Sequence, residues 1–408
     1  MNHPNRREGR TTVTPTEDDA RGFWRHFVDA YWEKESTAVE RVPESLWRLD
    51  SRELFRMLTW CSEHMKDSDV RCYLARPDLT VWQLLRPHAS ILPTADDGCL
   101  EAYEERMRRQ IASPDGYSIF VNNVIRHDAV TWRGVRDFAR GLVQQLGLPP
   151  HGFNAGVALG RYDFTPFGVH VDEGRSAFVL PIVGRKRFRI WPDHYVREHG
   201  QLVNRRGDYD DAAKESVEVE APPGGLVYWP SDAWHIAEDT GVFTAMLAIG
   251  ALVAERGRPL FAALPCDVDN LQASAQHVPD AFKTAVEGVD QIKPGEVVEQ
   301  AWVRCLSSLG LRHPIPVRAD PLPSERLRVE ARDALIWCSL PDQHFALGVN
   351  GHCLVASGDW IPTLIERLNS GAPFEVSDLD VPSAGGSTRT LLERLWECRA
   401  LTPDTQPS

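Results

Sequence analysis

From residue 154 to residue 250 the chain breaks into short extended runs separated by turn residues. That patterning closes as a sheet-rich barrel or sandwich and leaves little room for helices. Eight runs can be read: 154–162, 169–172, 176–183, 185–191, 216–220, 225–229, 234–238 and 242–249. Eight strands fit a double-stranded β-helix, or jelly-roll, barrel. Gly184 marks a tight hairpin turn between two runs, and Pro222-Pro223-Gly224-Gly225 and Pro230-Ser231-Asp232 mark two further turns.

Helical periodicity flanks this stretch. Residues 1–15 are polar and basic, without an apolar segment, and read as a disordered leader rather than a secretion signal. Thr16 with Asp19 caps a helix carrying Phe23, Trp24, Phe27, Val28 and Tyr31 at helical spacing. Further helices are expected over 51–65, 100–111 and 131–146, with a strand at 117–121 between the last two. Beyond 256 the pattern is helical near 271–286, where Pro279 sets a boundary, and at 296–309, before a proline-rich linker at 314–323. The last portion predicts a hairpin around Asn350-Gly351 and two helices, at 360–369 and 388–398. That order resembles a winged-helix module. The predicted domains are therefore a leader at 1–15, a sheet-rich domain with N-terminal helices at 16–255, a helical region and linker at 256–320, and a winged-helix-like domain at 321–408. The fold class is α+β.

Charge narrows the function classes. The net charge of −13 disfavours a nucleic-acid or anionic-membrane surface and suits a basic partner. Residues 321–408 carry seven basic against twelve acidic side chains, so DNA binding is not expected of the tail. Ala245 to Ala254 is about half the length of a membrane span, which leaves the cytoplasm as the expected compartment. Eight scattered cysteines, without a C-x-x-C, predict neither a zinc knuckle nor a disulfide framework.

Within the sheet-rich stretch, His170-Val171-Asp172 places an imidazole and a carboxylate two residues apart, on one face if the segment is extended. Chance would supply about two His-x-acid triplets in a chain of this composition, so the triplet alone says little. Its context says more, since His235 lies on a later strand and could complete two histidines and one carboxylate. That set leaves metal positions open and is associated with non-haem Fe(II) oxygenases. In Arg185-Lys186-Arg187-Phe188-Arg189-Ile190-Trp191, alternation groups Lys186 with Phe188 and Ile190, and the three arginines on the opposite, solvated face. A cation facing a core either snorkels out of the barrel mouth or calls for an anion, and a dicarboxylate co-substrate would supply one.

In the order His170-x-Asp172, Phe178 to Gly184-x-Lys186, then Pro223-Gly224-Gly225-Leu226-Val227-Tyr228-Trp229-Pro230 leading to Trp234-His235, the chain resembles the jumonji-C Fe(II)/2-oxoglutarate oxygenases. It is most similar to the branch of ribosomal-protein histidyl and arginyl hydroxylases and the asparaginyl hydroxylase. Phe23-Trp24 to Tyr31-Trp32-Glu33-Lys34 resembles the opening helix of these proteins, and the segments after 256 resemble a dimerisation region and a C-terminal module. The resemblance implies that His170, Asp172 and His235 hold Fe(II) and that Lys186 pairs with the distal carboxylate of 2-oxoglutarate. It further implies O2-dependent hydroxylation of an amino-acid side chain in a protein or peptide, and a homodimer. Where some relatives place a threonine three residues before the first ligand, this chain has Phe167, and Thr165 or Thr244 would take over its hydrogen bond. Two other readings stay open: a tailoring oxygenase acting on a small metabolite or precursor peptide, and a non-catalytic cupin-type binding protein.

Overall fold

The computed structural model describes residues 20–47, 49–65, 69–75, 81–84, 90–111, 116–172, 174–238, 241–253, 264–286, 297–379 and 387–404. The expected leader, the Thr16-Asp19 cap and the start of the 256–320 region lie outside them. Contacts divide the chain into two compact units, one formed by residues up to 141 with 154–260, the other by 142–153 with the residues from 261 on. The segments that sequence separates as 256–320 and 321–408 thus fall almost wholly within one unit. Among the described residues no helix is long and apolar enough to cross a membrane.

In the first unit the helices are α1 (Ala20–Ala30), α2 (Ser51–His64), α3 (Leu100–Ile111), α4 (Ala129–Leu146) and the short α5 (Asp193–Glu198). The strands are β1 (Thr37–Val39), β2 (Val70–Ala75), β3 (Val81–Leu84), β4 (Gly116–Val121), β5 (Phe153–Tyr162), β6 (Arg175–Val183), β7 (Lys186–Trp191), β8 (Val217–Ala221), β9 (Leu226–Trp229), β10 (Trp234–Glu238) and β11 (Thr244–Leu252). Eight of them form a sheet in the order β1-β9-β6-β11-β5-β4-β2-β3, and three form a second sheet, β10-β7-β8. One apolar cluster draws Ala158, Val179, Trp229 and Met246 from the large sheet and Phe188, Val219 and Ala237 from the small one. Strand β6 is central and buried along nearly its whole length, which is why it reads as an unbroken apolar run. Its Pro181 cannot donate to the ladder, and the register against β11 shifts opposite it, between Ala245 and Met246.

Two sequence expectations change here. Residues 169–172 do not form a strand: Val169 and His170 make only isolated bridges, to Val203 and His235, and Asp172 lies outside any ladder. Gly184 does not close a hairpin either, because β6 pairs with β9 and β11 whereas β7 pairs with β8 and β10. It turns the chain from one sheet into the other at φ +69°, where an added Cβ would meet the Phe243 carbonyl oxygen at 2.8 Å. The arginines of β7 do face away from the core as expected, but they are held in ion pairs. Arg189 Nε donates to Glu238 at 2.8 Å and its Nη2 to Glu218 at 2.9 Å, and Arg185, just before the strand, pairs with Glu220.

The back of the large sheet is covered by aromatic rings. Phe178 on β6 meets Trp24 and Phe27 of α1, Phe138 of α4 and Trp32, with centroids 5.4 to 6.0 Å apart. Trp24 is fully buried, and an added Cβ at Gly141 would fall 1.9 Å from its Cδ1. Alanine at an ordinary helical glycine gains up to about 1 kcal/mol of helix propensity. Here overpacking costs about 1–3 kcal/mol and outweighs that gain. Gly141→Ala is therefore expected to lower unfolding free energy, measured in urea; a stabilised variant would contradict the packing. Asp128 caps α4, its Oδ2 accepting from the Thr131 amide and hydroxyl at 2.7 Å each while Arg56 donates to both carboxylate oxygens. Burial pushes its carboxyl up, but Arg56 and Thr131 outweigh this and hold it below the usual carboxylate range. A depressed folded-state value means the contribution is present above the unfolded value and lost as pH falls through the folded one. Asp128→Asn should thus reduce stability near neutrality by about 1 kcal/mol and flatten its decline in acid, below about pH 4. Parallel acid-unfolding curves for the two proteins would refute this.

In the second unit, α6 (Leu271–Ala275) and α7 (Asp280–Val286) meet at the boundary that Pro279 predicted, and α8 (Val298–Ser307) follows. Then come β12 (Leu327–Val329), β13 (Ile336–Leu340), β14 (His344–Val349), β15 (His352–Ser357), α9 (Ile361–Asn369), α10 (Ser387–Glu397) and β16 (Leu401–Pro403). Strands β13-β14-β15 form an antiparallel sheet and β12-β16 a two-stranded one. Asn350 at φ +49° and Gly351 at φ +79° form the hairpin turn their dipeptide predicted. Helix α8 crosses β14 so closely that a Cβ at Gly348 would meet the Val303 carbonyl oxygen at 2.4 Å.

Candidate active site

A cavity of about 200 Å³ lies within the first unit, lined by Val179, Phe188, Trp229, Met246 and Ala248 together with His170, Asp172 and His235. The two histidines come from segments 65 residues apart in sequence and are joined by a pair of backbone bonds. The His170 amide donates to the His235 carbonyl at 3.0 Å, and the His235 amide donates to the His170 carbonyl at 2.7 Å. Residues opposed in such an antiparallel pair present their side chains on one face. The imidazole centroids are accordingly 4.3 Å apart.

Each ring is also oriented. His170 Nδ1 is 2.8 Å from the Gly168 carbonyl oxygen, and His235 Nδ1 is 3.1 Å from that of Ala233. A carbonyl only accepts, so each Nδ1 carries a proton, and in the neutral ring this is the tautomer that leaves Nε2 to a metal. Burial, with His170 facing it, pushes His235 down to about 3, which keeps that ring neutral. Burial pushes the Asp172 carboxyl up, but its electrostatic interactions with His235, Arg175 and His170 outweigh this and hold it below the usual carboxylate range, Arg175 being the one permanent cation of the three. Among the described residues no three His, Cys, Asp or Glu side chains are gathered closely enough to hold a metal ion as they stand. The imidazoles meet, while Asp172 Oδ2 lies 3.9 Å from Arg175 Nη1.

Lys186 is 1% exposed. Its Nζ sits 4.1 Å from the centroid of the Tyr162 ring and 3.5 Å from Thr244 Oγ1. Of the two threonines considered from sequence, Thr244 stands beside this cation. Thr165 lines the cavity with its Oγ1 accepting from the Ala237 amide at 2.9 Å. Phe167 packs against Phe120 and, at 5.6 Å, against His170.

A second group of residues lines the cavity, Arg71, Asn122 and Asn154, which sequence reasoning missed, and Arg175, which lies just beyond the His170-x-Asp172 motif. They come from the N-terminal third, from the first residues of β5 and from the start of β6, and form no motif. The one available signal was Gly250, where an added Cβ would meet Arg175 Cδ and Asn154 Oδ1 at 2.6 Å each. Trp229 belongs both to the apolar cluster and to the cavity lining; its ring lies 4.3 Å from that of His235 at a tilt of 34°, and its indole nitrogen is buried without a hydrogen-bond partner.

No protein-family model matches the sequence, and no curated protein matches it. Among the structural neighbours are solved structures of YcfD, a ribosomal oxygenase from Escherichia coli. The complex of that protein with cobalt and succinic acid is 14% identical, with a TM-score of 0.48, over 93% of this chain and 98% of that one. Its complex with cobalt and 2-oxoglutarate gives the same values. A further crystal structure of YcfD is 13% identical, with a TM-score of 0.45.

Proposed function

We propose that the chain is an Fe(II)/2-oxoglutarate-dependent oxygenase that hydroxylates an amino-acid side chain in a protein or peptide. The observation that carries this reading is the pair of imidazoles, bridged through their backbones and each locked by a carbonyl into the tautomer that offers Nε2 to one cavity. His170 and His235 would hold the iron, and Asp172 would complete the set by turning from Arg175. Lys186, beside Thr244, would receive the distal carboxylate of 2-oxoglutarate, the molecule bound in one of the YcfD structures. With both bound, O2 and 2-oxoglutarate together supply an oxidant that converts a C–H bond to C–OH while 2-oxoglutarate becomes succinate and CO2. The chain's own work is to present neutral imidazoles and an ionised carboxylate, to orient the co-substrate, and to keep water out with Val179, Phe188, Trp229, Met246 and Ala248. On this reading the two sheets form a double-stranded β-helix core, and the second unit supplies a dimerisation region and a winged-helix-like tail. The net charge of −13 suits a partner that is basic as a whole, met in the cytoplasm.

The test is aerobic incubation with Fe(II), 2-oxoglutarate and candidate peptides, followed by mass spectrometry. One added oxygen on a side chain, with a matching amount of succinate, is expected. Succinate formed only in the presence of small metabolites would favour a tailoring oxygenase. If neither substrate type yields succinate and 2-oxoglutarate does not bind, a cupin-type binding protein is the better description.

A further inference from the structure

Cations stand near the two ends of β5, Lys186 behind the Tyr162 ring of the cavity lining and Arg175 in the lining itself. At one end Lys186 lies over Tyr162 and reaches Thr244, the last residue of β5 and the first of β11. At the other end Asn154, near the start of β5, lies against Gly250, near the end of β11, with Arg175 beside it. Eight residues of strand separate Asn154 from Tyr162, roughly 26 Å at about 3.3 Å per residue. Arg71 belongs to the Asn154 end as well. Its strand neighbour is Phe120, yet its Nη2 points 3.5 Å from Asn122 Oδ1, just past the close of β4. The Nε of Arg71 is buried without a hydrogen-bond partner. Arg175 Nη1 lies 3.9 Å from Asp172 Oδ2, beyond hydrogen-bond length.

We propose that Arg71 and Arg175, with Asn122 and Asn154, form a subsite for a carboxylate carried by the substrate, so that the segment oxidised at this centre is acidic. The inference rests on the oxygenase reading and deepens it. Two guanidiniums and two carboxamides converge on one end of a cavity whose middle is apolar, and guanidinium forks suit carboxylates through paired charge-assisted bonds. A lysine or arginine side chain entering there would meet like charge and leave Arg71 Nε unsatisfied. Lys186 at the far end serves the co-substrate, so one anion does not account for both clusters. Gly250 is the residue that makes room for Arg175 and Asn154, which is why the strand carries no side chain there.

The experiment is anaerobic calorimetry on the protein loaded with Fe(II) and 2-oxoglutarate, titrated with short peptides carrying Asp or Glu, with matched peptides carrying Lys or Arg, and with free aliphatic monocarboxylic acids. Acidic probes are expected to bind, and Arg71→Gln and Arg175→Gln each to weaken them about 10-fold or more while 2-oxoglutarate affinity stays within about twofold. Binding of the peptides alone identifies a side chain in a polypeptide, and binding of the free acids alone a small metabolite; both support the subsite. Arg71→Lys and Arg175→Lys, which keep the charge and lose the fork, cover the case of a misfolded glutamine variant and should show an intermediate loss. The subsite is overturned if basic probes bind in preference, if no acid binds, if the arginine variants bind acids as the parent does, or if they lose 2-oxoglutarate instead. Should Lys186→Met leave 2-oxoglutarate affinity unchanged while Arg71→Gln still weakens acids, the co-substrate assignment fails and the subsite stands.

Discussion

His170→Ala is expected to abolish iron retention and to lower 2-oxoglutarate turnover about a thousandfold or more, an effect on the order of 4 kcal/mol in transition-state stabilisation. The size follows from how the ring is held. His170 is fixed through its backbone by two bonds to His235 and through Nδ1 by the Gly168 carbonyl, so its Nε2 has one orientation. Removal of the imidazole also leaves His235 buried beside a vacancy. The backbone pair survives the substitution, so the fold should remain, and loss of metal can be separated from loss of structure by circular dichroism. His277→Ala, at an exposed position, serves as the control. Iron content is read by elemental analysis after gel filtration, and the Fe(II)–2-oxoglutarate complex by its visible charge-transfer band under nitrogen. A His170→Ala protein that retains stoichiometric iron, or a parent that gives no band with saturating iron, would remove the basis for the oxygenase reading.

What the sequence revealed, and what it hid, divides along the range of the interactions. The Asn350-Gly351 turn and the boundary at Pro279 are set by local backbone preference, and both were readable. Strand β7 was readable too, because Lys186, Phe188 and Ile190 alternate with arginines and the burial alternates with them. Alternation reports which face a residue occupies but not which strand lies opposite. Thus Gly184 looked like a hairpin turn although its flanking strands belong to different sheets. The same limit applies to the centre of the cavity. His170 was read as a rung of a strand, whereas a single bridge to His235 positions it and Asp172 stands free of any ladder. Arg71 and Asn122 were invisible for a stronger reason: β2 and the close of β4 carry no motif, and only the sheet order brings them beside Asn154 and Arg175.

Lys186→Met should weaken 2-oxoglutarate about 30- to 100-fold while leaving the ligand-free protein as stable as the parent or more so. The two halves of this expectation have different causes. A carboxylate meeting a buried ammonium gains a charge-assisted bond of about 2–3 kcal/mol, and methionine offers none. In the absence of ligand, a lysine that is 1% exposed bears a desolvation cost. Methionine matches its length without the charge, so the volume stays filled and the cost disappears. Thermal unfolding with and without 2-oxoglutarate reads both halves. At a ligand concentration of about 100 Kd the parent gains about 2.7 kcal/mol, and a variant weakened about 100-fold gains about 0.4 kcal/mol. A ligand-induced shift equal in both proteins would show that the distal carboxylate is held elsewhere. If the shift were lost only in Arg71→Gln, the guanidinium end of the cavity would be the co-substrate end, and the assignments of the two anion sites would exchange.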